Sequence, residues 1–288
     1  MDGIFLIDKQ IDETSFKTVD SVKKKLKLNK IGHTGTLDPF ATGLLIACVN
    51  RATKLVSLFQ DLPKVYEAVF VFGEKRDTDD VTGQTVETSD TTPTLEEIER
   101  AVPSFRGLIE QLPPQYSALK VQGKRAYELA RKGEEVKLRT RKVTIYNYEI
   151  LGYDQPELSV RITCSSGTYI RSLARDLGEK LGTLGYVKKL IRTAIEPFSV
   201  AQAKKKDEIT HDDLIPLKNS LHFLPSLTVK QEWEERVRNG IPFRPEMAGA
   251  VPVEKTALPY RLLLDGEGDV LAVLDGKKYL YINTTRKR

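Results

Sequence analysis

Gly3-Ile4-Phe5-Leu6-Ile7 is an unbroken apolar run between charged residues, the pattern of a strand covered on both faces. Phe16, Val19, Val22 and Leu26 then recur at helical spacing behind Thr14 and Ser15, either of which has the hydroxyl to cap a helix. Leu44 to Val49 is a second apolar run, readable as a buried strand or the start of a buried helix. Val65 to Phe72 is strand-like, and Lys142 to Leu151 and Leu158 to Cys164 alternate as neighbouring strands do. Short helices are predicted around Glu96 to Val102, opened by Thr94, and at Tyr127 to Arg131. A further helix beginning near Thr168 carries Tyr169, Ile170, Leu173, Ala174, Leu177 and Leu181 as one stripe, with Arg171 and Arg175 on another face. After about Ser226 the runs shorten. Tyr260 to Asp265, Val270 to Leu274 and Tyr279 to Ile282 are separated by Asp-Gly turns, which mark hairpins. Strands and helices mix without a regular βαβ beat, so the fold class expected is α+β.

A chain of 288 residues accommodates one large domain with a small one, or two middling ones. The formal charge of +5 matters less than where it lies. Lys17, Lys23, Lys24, Lys25, Lys27 and Lys30 crowd one segment, Lys204 to Lys206 another, and Arg286, Lys287 and Arg288 close the chain. Such clusters attract nucleic-acid phosphates, and each also suits a solvated helix face. Cys48 and Cys164 are the only cysteines and are far apart, so no disulfide framework is expected. The start lacks a basic segment followed by a long apolar one, and no apolar run is long enough for a bilayer. A cytoplasmic protein with no membrane partner is the expectation.

Several chemistries lack their residues. There is no G-x-x-x-x-G-K-[ST], no H-E-x-x-H, no Cys/His cluster around His33, and no G-x-S-x-G. Asp77 to Gly83 looks superficially like a calcium loop, but it lacks glycine at its sixth place and has Thr88 at its twelfth. Neither a metal nor an organic cofactor is expected, and acid–base or nucleophilic work falls to a carboxylate. The candidate is Asp38, in a bend punctuated by Gly32, Gly35, Pro39 and Gly43 just ahead of the Leu44 run. Such a bend holds a carboxylate rigidly at the edge of a core.

Gly32-His33-Thr34-Gly35-Thr36-Leu37-Asp38-Pro39, with Ala41-Thr42-Gly43, closely resembles the catalytic motif of the TruB family, the tRNA pseudouridine-55 synthases. The resemblance continues in order through Tyr66, Arg76 to Gly83, Pro113 to Lys120 with Gly123, Tyr127 and Ala130-Arg131, Cys164 to Leu173, and Asp176-Leu177-Gly178. It covers roughly residues 3–198.

The resemblance implies a catalytic domain over residues 1–227, with a mixed, mainly antiparallel sheet flanked by helices. A small PUA-like RNA-binding β domain would follow over 228–288. It implies isomerisation of one T-loop uridine of tRNA to pseudouridine, with the base extruded into a pocket. Asp38 would be the catalytic aspartate, Arg171 its ion-pair partner, and Tyr66 the ring that stacks on uracil and moves a proton. His33 would contact RNA where the base has left, Tyr169 and Leu190 would line the pocket, and Lys9 would bind substrate. The partner expected is the tRNA T-arm stem-loop, with the chain a monomer that needs no other protein.

Two departures stand out. The family's first motif usually has Lys-Pro and a glycine, where this chain reads Lys9-Gln10-Ile11-Asp12-Glu13-Thr14-Ser15, which alters the rigidity of the loop. Leu190-Ile191-Arg192-Thr193-Ala194-Ile195-Glu196-Pro197-Phe198 lacks the usual paired arginines and glycine, which bears on a local RNA contact and turn. An alternative is a tRNA-binding chaperone of the same fold without catalysis, although binding alone does not require Asp38, Tyr66 and Arg171 together. A guide-RNA-directed, dyskerin-like enzyme is disfavoured by the chain's start at the first motif and by the bacterial style of Pro113 to Arg131. A two-carboxylate glycoside hydrolase is remoter, since no second motif-borne acid accompanies Asp38.

Overall fold

Alternate residues of the first strand, β1 (Gly3–Lys9), enter two different apolar clusters. Ile4 and Leu6 join one, and Phe5 and Ile7 the other, so this strand is covered on both faces. The computed structural model describes residues 2–116, 120–121, 124–125, 138–249, 259–276 and 278–284. The helix expected at Tyr127 to Arg131 and the basic end at Arg286 to Arg288 lie outside the described residues.

After β1 the large sheet gains β2 (Ile31–His33), β3 (Thr42–Val49), β4 (Lys64–Phe72), β5 (Gly107–Gln111), β6 (Arg141–Asp154), β7 (Glu157–Cys164), β8 (Gly185–Ile195), β9 (Phe198–Ser199) and β10 (Ile215–Pro216). Its order is β10-β1-β3-β8-β4-β7-β6-β5, with β2 also on β3 and β9 also on β8. Every pairing is antiparallel except β8 with β3, so the sheet is mixed and mainly antiparallel. Leu44 to Val49, readable two ways from its pattern, forms a strand and is fully covered. A second, four-stranded sheet is made by β11 (Ser226–Thr228), β12 (Tyr260–Leu264), β13 (Val270–Asp275) and β14 (Lys278–Ile282). The protein is thus α+β with a small C-terminal sheet.

Three helices pack on the large sheet. The first, α1 (Ser15–Lys25), is opened by the Thr14 hydroxyl, which accepts from the Lys17 amide, and ends on Lys23 to Lys25, where cations complement the helix dipole. Val19, Val22 and Leu26 pack under β1 and β3 as expected. Phe16 does not: it is 71% exposed, because Ser15 and Thr18 take the inward places at the first turn. The second, α2 (Leu95–Ala101), is closed at its start by a Thr94–Glu97 capping box. In α3 (Ile170–Lys180), Ile170, Leu173, Ala174 and Leu177 bury against the sheet while Arg171 and Arg175 leave on the other side. Among the described residues no helix is long and apolar enough to cross a membrane.

Candidate active site

The loop between β2 and β3 carries Asp38 and is held from four directions. Ser15 Oγ accepts from the Leu37 amide at 2.9 Å and donates to the Leu37 carbonyl at 3.2 Å. Lys9 Nζ donates to the carbonyls of Ala41 (2.7 Å), Pro39 (3.1 Å) and Gln10 (2.9 Å). The Asp12 amide donates to the Pro39 carbonyl at 2.9 Å. From β8, Arg192 Nε donates to Leu44 O at 2.7 Å and its Nη2 to Gly35 O at 3.2 Å. Gly43 has φ +101°, and a Cβ there would lie 2.4 Å from Arg192 O, so only glycine allows β3 to approach β8 this closely.

Asp38 faces Arg171 of α3. Arg171 Nη2 donates to Asp38 Oδ1 at 3.1 Å, and its Nε lies 2.9 Å from Oδ2 without the alignment of a hydrogen bond. The same guanidinium donates to the carbonyls of Thr78 (2.8 Å) and Tyr116 (2.9 Å) and sits 3.3 Å from Asp80 Oδ2. Arg171 is buried, and the Asp38 side chain keeps 34% of its surface open. Burial pushes the Asp38 carboxyl above its ordinary range, Asp80 adds to that push, and Arg171 opposes both.

Across a cavity of about 320 Å³ from Asp38 stands Tyr66, on β4. Tyr169, Arg171, Leu190 and Arg192 also line this cavity. Five of the residues singled out from sequence (Asp38, Tyr66, Tyr169, Arg171 and Leu190) therefore meet in one place. Leu190 is shared with the main apolar core, and Tyr169 precedes α3 with its backbone clamped both ways by the Gln111 amide group. Burial pushes the Tyr66 hydroxyl up, against the pull of the Arg192 charge.

Lys9 and His33 do not line the cavity. Lys9 is fully buried behind the loop, with its ammonium spent on three carbonyls, and burial brings it down to about 8. His33 sits on β2, where burial and then the Arg192 charge lower its pKa and favour neutral imidazole.

Two residues at the site were not singled out from sequence. Asp80 lay in the segment read as a failed calcium loop. One of its oxygens accepts from the Thr78 hydroxyl and from the Thr82 amide and hydroxyl, and the other faces Arg171. Its neighbour Asp79 pairs with Arg175 at 3.1 Å. Among the described residues no cluster of acids, histidines and cysteines is arranged for a metal. Arg192 lay in the segment whose missing paired arginines and glycine bear on an RNA contact and turn, and it is a buried strut. The signal available for it was an arginine set among Leu190, Ile191, Ala194 and Ile195, which a sheet interior admits only with partners.

Comparison with known proteins agrees with this geometry. The family model described as TruB family pseudouridylate synthase, N terminal domain, matches residues 23–170, more than half of the chain. A protein of Clostridium kluyveri named tRNA pseudouridine synthase B is 38% identical over 92% of this chain and 93% of its own length. Its namesake from Aquifex aeolicus is 46% identical over 72% of this chain and 73% of its own. Among solved structures, a chain of a Cbf5-Nop10-Gar1 complex superposes with a TM-score of 0.74 over 94% of this chain and 77% of that one, at 23% identity, and so shares the fold. By sequence and by fold the chain belongs to the TruB family and is a pseudouridylate synthase, an isomerase.

Proposed function

We propose that this synthase isomerises the uridine at position 55 in the T-loop of tRNA, acting as a single chain without cofactor. The observation that carries the reading is the paired Asp38 and Arg171 facing Tyr66 across one cavity, in a chain whose relatives are named for tRNA. A stacked T-loop base has to be extruded to reach that cavity, at a cost of a few kcal/mol. As an anion, Asp38 attacks C1′ or stabilises positive charge there while the N1–C1′ bond breaks. The freed uracil turns and its C5 joins C1′. Tyr66 stacks on the ring and its oxygen takes the C5 proton. Neutral His33 suits the apolar space a departed base leaves in the stack. Lys9 serves by holding the Asp38 loop, since its ammonium is already bonded to that loop.

The exposed lysines of α1 supply phosphate contacts, and the C-terminal module adds RNA surface in the manner of a PUA-like domain. Incubating the protein with an unmodified, guide-free tRNA transcript and mapping pseudouridine tests this. Conversion at position 55 alone is expected. Tight binding with no conversion would favour the chaperone reading, and conversion elsewhere would move the target.

A further inference from the structure

Tyr66 and Arg192 stand directly opposite each other in the antiparallel pair of β4 and β8. Side chains so placed lie on one face, about 5 Å apart at Cβ, and both of these line the cavity. The ladder slips by one residue immediately after Arg192 and resumes at Ala194 opposite Val65, so the pair stands at a bulge, where a side chain can be re-aimed. Arg192 is 1% exposed, and its Nε and Nη2 hold Leu44 O and Gly35 O, the two carbonyls that bracket the Asp38 loop. One rigid guanidinium therefore spans from the aspartate's loop to the tyrosine's strand.

A phenol is a poor base, and a phenolate is a good one. The charged and titratable groups around the Tyr66 hydroxyl are Arg192 from β8, Asp38 from the loop, Cys164 from β7, and Lys64 two residues away on β4. Burial, Cys164 and Asp38 all disfavour the phenolate, while the charge of Arg192 favours it. Lys64 Nζ is turned to the carbonyls of Gln60 and Leu62. Arginine is charged at every working pH, so it is suited to the task.

We propose that Arg192 is a positioning residue for proton removal, holding the Tyr66 oxygen in reach of C5 and at a fixed distance from Asp38, and easing its ionisation against the cost of burial. This rests on the reaction assigned above. Once C5 has bonded to C1′, it carries both that bond and its hydrogen. The phenolate oxygen of Tyr66 takes the hydrogen as a proton, and the C5–H electron pair becomes the C5–C6 double bond. The former C6–N1 double-bond pair moves to N1, which takes a proton from water. Tyr66 is left as a phenol and returns its proton to solvent.

The test is single-turnover pseudouridine formation against pH for the parent chain, Arg192→Lys and Arg192→Gln. Each is made with tyrosine and with the more acidic 3,5-difluorotyrosine at position 66. Arg192→Gln is expected to lose on the order of 10²-fold in rate near neutral pH, to bind tRNA within a few-fold of the parent, and to show its rising limb displaced to higher pH. Difluorotyrosine is expected to restore about tenfold, as one pK unit of regained acidity would. Arg192→Lys, which keeps charge but not the rigid fork, is expected to fall between. A rate depressed equally at all pH values and untouched by difluorotyrosine overturns the proposal and leaves Arg192 a strut only. If Arg192→Gln does not fold, Arg192→Lys decides, and a rising limb that coincides with the parent's overturns it. A parent that forms no pseudouridine refutes the assigned reaction instead, a result distinct from an active parent with an unmoved variant limb.

Discussion

In the proposed reaction Asp38 works as an anion, in surroundings that resist that charge. Burial and Asp80 push its carboxyl up while Arg171 pulls it down, and the push is the stronger. The reaction needs the ionised form, so the rate is lost as pH falls through this carboxyl, earlier than it would be for a free aspartate near 3.8. The acid limb of single-turnover rate against pH is therefore expected above the ordinary aspartate range. Asp38→Asn keeps the shape and removes the charge, so tRNA binding within a few-fold of the parent and no pseudouridine are expected. Comparable turnover by the Asn protein would return Asp38 to the status of a turn residue. Tyr66→Phe keeps the stacking face and loses the oxygen, and the rate should fall by about 10²–10⁴ with affinity little changed. A near-parent rate for Phe, with loss only in Tyr66→Ala, would leave stacking as the ring's whole contribution.

At the scale of the element, the loop between β1 and α1 shows how the chain manages without the usual proline and glycine. Asp12, in the stretch where the resembled motif usually has a glycine, adopts φ +61°, a conformation aspartate tolerates better than most residues. Asp12→Gly should therefore change stability by less than about 1 kcal/mol, whereas Asp12→Val should cost about 1–2 kcal/mol; denaturant midpoints separate the two. The loop is braced by Lys9, whose buried ammonium ties Gln10, Pro39 and Ala41 together. That ammonium has a folded pKa of about 8, below its value in the unfolded chain, as has Lys64. At these two lysines the unfolded chain thus binds more protons above pH 8, and stability should rise with pH from about 8 to about 9, above which the buried thiols of Cys48 and Cys164, pushed up to about 12, offset the gain. Melting temperature across that window reads the effect, and Lys9→Met should flatten the slope without abolishing it, since Lys64 remains. Strands and helices were legible here because their apolar periods are strong, as in β1 and α3. Phe16 misled because period alone cannot tell the first turn of a helix, where Ser15 turns inward, from its middle. Asp80 and Arg192 were hidden for another reason: each sits in a segment whose local pattern suggested a different use, and only the fold brings them to Arg171 and Tyr66.

For the whole molecule, the C-terminal sheet is more than an appended module. Tyr260, Leu262, Val270, Val273 and Tyr281 share an apolar cluster with Ile4, Leu6 and Leu44 of the large sheet and with Leu58 of the helix Val56–Asp61. Tyr260 Oη donates to Asp61 Oδ2 at 2.6 Å, and Tyr281 Oη donates to Asp2 Oδ2 at 3.1 Å. Removing residues 226–288 should weaken tRNA binding. Because it uncovers that cluster, it should also cost several kcal/mol and lower the melting temperature by about 10 °C or more. A truncated protein that melts with the parent would show that the tail covers nothing the catalytic region needs.

The parallel contact of β8 with β3 is confined to two residue pairs, Ile191 with Thr42 and Arg192 with Gly43, yet it joins the two halves of the site. Asp38 and Arg171 are 133 residues apart in the chain, and Gly35 and Arg192 are 157 apart. Contacts of such long range are closed late, because loop entropy must be lost before they bring any return. During synthesis the aspartate's loop and β4 leave the ribosome well before α3 and β8 exist. The nascent chain therefore has an aspartate without its ion-pair partner and a tyrosine without its opposing arginine. Catalytic competence arrives all at once, near the end of folding.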